Sequence, residues 1–263
     1  MRTLGVDLAA RPVGTACCTL RWDETTARVE ELVGAGATDD DLLERMAGAD
    51  RVGIDCPLGW PTGFVRAIDT WSVRGRWEPP PRPEELTLRV TDRHVAARVR
   101  HPLSVSADKI AVVAFRCAGL LDRFARRRGA AAVDRSGTSG TVAEVYPAAA
   151  LVRWSWFEPG GSDRAGVPVS PVRRASYKRA GGREVRGTLV GAMAARLPWL
   201  ELAGHEDELV RSDDALDALV AALVARAVAR GLTEGPGPAD LEAARREGWI
   251  HVPLAGSLDR LVG

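Results

Sequence analysis

Three short stretches hold acids where acids are costly. In SDDALDALVAALVAR, residues 212–226, Asp214 and Asp217 stand three apart at the head of a segment that is otherwise mostly Ala, Leu and Val. GVDLA (5–9) and GIDCP (53–57) each place an Asp two residues after a Gly within a short apolar run. Alternate residues of a strand share a face, so Asp7 follows Gly5 and Asp55 follows Gly53, while Val6 and Ile54 point the other way. If the two strands are parallel neighbours, the two acids lie roughly 5 Å apart at backbone level, with the glycines clearing space beside them. Like charges that close force one pKa upward unless a cation neutralises them. A helix that brings in Asp214 and Asp217, neighbours on one side because they are i and i+3, completes four carboxylates. Such a hard-oxygen cluster suits Mg²⁺ or Mn²⁺. Two such ions ~3.5–4 Å apart can activate water and stabilise the leaving oxygen in phosphodiester hydrolysis.

Simpler roles compete for the same residues. The helix dipole favours acids in a first turn, which would account for Asp213 and Asp214 as capping residues. Asp213 could also replace Asp214, since 213 and 217 are helical neighbours. Asp217 lies a turn inside an apolar helix and is harder to explain without a ligand. Glu144, in TVAEVYP (141–147), is open between a ligand and a structural ion pair.

The elements that must carry these acids follow from periodicity and turn chemistry. TLGVDLA (3–9), VGTACCTLRW (13–22) and RVEELVGAG (28–36) read as three strands, the last two joined by DETT, and suit an antiparallel meander. TDDDLLERMAGAD (38–50) reads as a helix, with Thr38 as N-cap and Asp41 three residues on. RVGIDCP (51–57) is a strand stopped by Pro57. Residues 58–104, which include PPPRP (79–83), read as an insertion with a helix near 84–100. Ile110, Val113, Ala114, Cys117, Leu120, Leu121 and Phe124 then form the stripe of an amphipathic helix closed by Gly129. After the strand of Glu144 comes a second irregular stretch, 155–182. The helix REVRGTLVGAMAARL follows, and then the acidic helix, capped by Ser212 with Gly231 past its end. The expectation is α/β: a mixed five-stranded sheet, its first three strands antiparallel and its later ones parallel, with helices on both faces. It forms one domain over 1–231, with inserts at about 58–104 and 155–182, and 232–263 is an extension packed on it.

Composition narrows the function classes. The 263 residues carry a net charge of +1, which excludes the global signature of a nucleic-acid binder. No run reaches the ~18–20 apolar residues of a membrane span, and the N-terminus shows no signal-peptide core. The four cysteines form no CxxC and read as reduced, buried residues of a cytoplasmic protein. GxxxxGK[ST], GxGxxG and GxSxG are absent, and the four histidines lack metal-ligand spacing. Local charge is uneven: RRASYKRAGGREVR (173–186) holds six basic side chains against one acid. Lys178, Arg179, Arg183 and Arg186 are therefore candidate phosphate-binding groups just before the acidic helix. Trp154, Trp156 and Phe157 could stack on bases, though burial in the core of the second insert suits them better.

In this order the motifs resemble those of a known family. GVD on the first strand and DALDAL (214–219) are similar to the first-strand Asp and last-helix Asp pair of Holliday-junction resolvases, within the RNase H-like fold. More closely, GVDLA, GIDCPLGWP, TDRHVAAR (91–98), EVYPAAA (144–150), the YKRAGGREVR segment and DDALDALVAALVAR together resemble the domain-of-unknown-function family 429, described as predicted RNase H-fold nucleases. The resemblance runs to about residue 230. It implies an RNase H-like sheet, Mg²⁺ or Mn²⁺ on Asp7, Asp55, Asp214 and Asp217, a catalytic place for these four with Glu144 as further ligand or orienter, and Arg93 as a substrate-binding residue. The resolvases use Glu where this chain has Asp55. The resulting expectation is a metal-dependent nuclease or phosphodiesterase acting on a nucleic acid or nucleotide, with no membrane partner. The alternatives are a nucleotide-dependent phosphotransferase of the actin/hexokinase superfamily and a non-catalytic binding module.

Overall fold

The computed structural model describes residues 1–156, 177–178 and 180–263. The meander forms as β1 (Arg2–Asp7), β2 (Ala16–Trp22) and β3 (Ala27–Val33), all antiparallel. Helix α1 (Asp39–Gly48) follows, and Thr38 and Asp41 cap it reciprocally. It leads into β4 (Arg51–Asp55), which lies parallel to β1. The sheet order is β5-β4-β1-β2-β3-β6, with β5 at Val142–Glu144 and β6 at Leu200–Glu201. The sheet thus has six strands, not the expected five. β6 is two residues long and pairs parallel with Ala27 and Arg28, too short to leave a period in the sequence.

One face of the sheet is oily and thick. Leu4, Val6, Val52 and Ile54 pack there against Leu42, Leu43 and Met46 of α1. Cys117, Leu120 and Phe124 of α4 (Ile110–Arg127) complete that cluster. The other face receives α8 (Asp213–Ala229), which packs on β1, β2 and β4. α8 is buried nearly all round, as its lack of a polar face requires. A Cβ on Gly5 would come within 2.0 Å of the Ala218 carbonyl oxygen, and one on Gly53 within 2.6 Å of that of Ala221. The glycines therefore let the α8 backbone rest directly on β1 and β4, and Ala on the helix keeps that approach close. The Ser212 hydroxyl accepts from the Ala215 amide, fixing where this helix begins.

The first insert departs from its reading as mostly irregular. It holds α2 (Thr62–Arg74), whose exposed Val65, Ile68 and Trp71 blur any polar face, while the helix expected near 84–100 is only α3 (Val90–Ala96). Residues 147–153 form α5 and 206–211 form α7, between which lies α6 (Arg183–Arg196). Beyond residue 231, β7 (Thr233–Glu234) and β8 (Val252–Pro253) pair around α9 (Leu241–Glu247). Ile250 bridges to Glu144 in parallel, so this extension runs along the β5 edge. Among the described residues no helix is long and apolar enough to cross a membrane.

Candidate metal centre

Asp7 and Asp55 are register partners at the last residues of β1 and β4. Both side chains leave the sheet on the α8 side, where the head of that helix brings Asp217. Asp7, Asp55 and Asp217 each offer an oxygen such that all three lie within 4.8 Å of one another. Asp214 lies against Asp7, so the fourth acid adjoins the cluster, while Asp213 lies 4.0 Å from Arg186. Asp217 is fully buried. The Tyr177 hydroxyl donates to one of its oxygens at 2.7 Å, and the Lys178 ammonium pairs with the other.

Charge at this place is in excess. Burial pushes Asp7 well above the usual carboxylate range, and repulsion from Asp55 adds to it, against the pull of Lys178. Burial likewise raises Asp55, to about 7, with Lys178 opposing and Glu144 adding. Asp214 is raised by burial and by Asp213. Among the described residues these four carboxylates meet the Lys178 ammonium, with Arg186 also acting on Asp214, and remain anionic in sum unless protons or another cation arrive. Ligands around an ion at 2.0–2.1 Å stand ~2.9 to ~4.2 Å apart, so the three oxygens need little further closure to embrace one. The donor set is all carboxylate, which fits Mg²⁺ or Mn²⁺ and not a soft metal.

Asp7 and Asp55 line a cavity of about 330 Å³ with apolar walls from Leu8, Leu103, Ile110 and Val113. Glu144 lines it too, but its carboxylate faces away from the cluster. Arg89 grips Glu144 with two bonds of 2.7 and 2.8 Å and Asp92 with bonds of 2.9 and 3.1 Å. The Leu58 amide also donates to Glu144, and Arg89 donates to the Glu247 carbonyl. Glu144 is thus the orienter of a buried Arg, and by holding Leu58 it fixes the chain that leaves Asp55.

Residues 5–241 match the family described as Protein of unknown function (DUF429). The chain belongs to that family. No curated protein and no solved structure matches it. The match takes in all four acids of this family member, together with Glu144, Arg89, Tyr177 and Lys178.

The remaining expected residues of the DUF429 chain divide. Lys178 lines the cavity. Arg183 is exposed at the first position of α6, and Arg179 and Phe157 lie outside the described residues. Arg186, expected to bind phosphate, is turned to backbone carbonyls. Fully buried, it donates to the Tyr177, Val210 and Arg211 carbonyls and so ties the Tyr177–Lys178 segment to the approach of α8. Arg93 caps the Leu88 carbonyl and is not among the cavity's lining residues. Trp154 and Trp156 are buried core, as their composition favoured. Sequence reasoning missed Arg89 and Tyr177. Arg is normally a surface residue, and the local pattern carries no signal that Arg89 is buried.

Proposed function

We propose that this protein hydrolyses phosphodiester bonds with a carboxylate-held divalent metal pair, Mg²⁺ or Mn²⁺, as a nuclease or related phosphodiesterase in the cytoplasm, built on an RNase H-like sheet. The observation that carries the reading is the in-register convergence of Asp7 and Asp55 with a fully buried Asp217. Asp7, Asp55 and Asp217 would hold one ion, and Asp214 with Asp7 would help to hold a second. Bound there, the metals would supply an activated water and charge stabilisation of the leaving oxygen. The chain's own groups set the stage. Tyr177 orients Asp217 by occupying one of its oxygens. Lys178, once released from Asp217, has the reach and charge to hold a substrate phosphate. The Arg89–Glu144 pair holds the loop after Asp55 still. Leu8, Ile110 and Val113 keep bulk water from one side of the cavity, which strengthens every charge interaction inside it.

The phosphotransferase alternative needs an open phosphate-binding turn after Asp7. That turn is instead filled by Arg116, which donates to the Ala9 carbonyl and the Thr15 hydroxyl. The test is Mn²⁺-dependent cleavage of single-stranded, duplex and branched DNA and RNA, alongside melting with and without Mn²⁺. A real site raises the melting temperature by mass action, and Asp7→Asn removes the rise. A rise with no cleavage of any substrate favours a binding module; an equal rise in Asp7→Asn defeats the site.

A further inference from the structure

The structure has a second concavity that the proposed chemistry does not use. It is a groove of about 820 Å³ bordered by Trp60, Val65, Arg66, Arg135 and Arg246, with Asp69 and Glu85 also on its rim. Glu85 is paired with Arg82 and Arg246 with Glu242, whereas Arg66 has no ion-pair partner among the described residues. Trp60 stacks on Phe115, their ring centroids 5.4 Å apart and their planes 25° apart. Phe115 is 63% exposed, an unusual state for a large aromatic ring with no partner on its outer side. Along α2 the exposed Val65, Ile68 and Trp71 alternate with exposed Arg66 and Arg74.

The groove and the cavity share no lining residue, but short stretches of chain join them. Asp55, Cys56 and Pro57 line the cavity, and Trp60 follows three residues later, so Asp55 and Trp60 are at most ~18 Å apart. Val113, in the cavity wall, and Phe115 sit two residues apart on α4.

We propose that this groove is the track for a single-stranded stretch of polynucleotide whose scissile phosphate enters the acidic cavity. The inference rests on the hydrolase reading for what happens at the acids, but its own ground is the aromatic and arginine surface. Arginines interleaved with exposed rings match a chain of phosphates and bases. Bases free to stack on Phe115 exist in single strands and not in a duplex. The cavity's 330 Å³ lies at the small end for ligand pockets and admits a nucleotide unit, not a double helix.

The experiment is fluorescence anisotropy of fluorescein-labelled dT12 with the full chain in EDTA, where cleavage cannot intrude, against the same strand annealed to dA12. The expected result is tighter binding of the single strand, weakening as salt rises with a slope of about −0.7 per contacted phosphate. Phe115→Ala should weaken dT12 binding roughly 5- to 150-fold, and Arg66→Ala should lower the salt slope by about 0.7. Both side chains are exposed, and melting curves confirm that the variants fold. Duplex binding equal to single-strand binding, no dT12 binding, or variants that match wild type would overturn the track. The two readings fail separately. Wild type that binds dT12 without metal-dependent cleavage of any substrate sinks the hydrolase alone. Metal-dependent cleavage of bis(p-nitrophenyl) phosphate without dT12 binding sinks the track alone.

Discussion

Two buried acid clusters stand side by side at the ends of neighbouring strands, and they are neutralised in opposite ways. Around Glu144, two carboxylates meet a buried Arg89 whose charge is kept on by Glu144 and Asp92 although burial opposes it. Burial raises Glu144, yet Arg89 and the Leu58 amide pull it back toward its charged form. Around Asp7, the described residues set four carboxylates against Lys178, which is 39% exposed, with Arg186 also acting on Asp214. The first cluster is complete within the chain and reads as structure. Among the described residues the second is short of positive charge and reads as a place for something from outside. A lone buried acid says little; the balance of its neighbours says whether a ligand is owed.

The sharpest way to break this comparison is to remove one acid from the deficient cluster. Asp7→Asn should lower Mn²⁺-dependent turnover by more than about 100-fold, since even groups that merely orient metal ligands cost 10- to 100-fold. It should also cost little stability without metal, because it relieves repulsion with Asp55. Steady-state rates and urea melts with EDTA read the two halves; a turnover unchanged in Asp7→Asn ends the assignment.

In the balanced cluster the sign reverses. Arg89→Met leaves Glu144 and Asp92 buried without their cation and should destabilise by about 3–5 kcal/mol in urea melts. A loss below 1 kcal/mol would mean that the pair is dispensable and the contrast false.

Acid should find a different weak point beside Glu144. The His251 amide donates to the Glu144 carbonyl, and its ring is buried between the Ser136 carbonyl and the Thr233 hydroxyl. Burial lowers its pKa from 6.5 to about 4. Between those values the unfolded chain takes up a proton that the folded one refuses, so stability falls as pH drops from about 6.5 to 4. The full effect is roughly 3 kcal/mol. Asp55, raised to about 7, works the other way, binding its proton in the folded state and losing stability as pH rises through that range. The difference between wild type and His251→Leu isolates the histidine; a flat difference across pH 4–7 would show that the ring is not held neutral.

The smallest effect concerns Lys178. Lys178→Met removes a positive charge from beside Asp217 and should tighten Mn²⁺ binding roughly 10-fold by calorimetry, while lowering turnover if Lys178 holds phosphate. Weaker Mn²⁺ binding in that variant would make Lys178 a support of the site and not a competitor.

Much of this was legible in the chain. The two G-φ-D strands are parallel partners in the expected register, and the Ala-rich helix does rest on the glycines. Period and spacing reach that far because a strand's faces and a helix's neighbours are local properties. The sixth strand, α2 and the fate of Glu144 were not legible. β6 is too short to carry a period, α2 exposes its apolar side chains, and Glu144 is settled by Arg89, 55 residues away in the chain.

By itself the sequence determined which acids share a face, where α8 begins, and that the residues packed between sheet and helix must be small. Only the tertiary structure decided which acids were left in excess and which were matched, and that Arg186 supports the backbone. Charge compensation is a sum over neighbours brought together from distant segments, and local pattern holds no record of that sum.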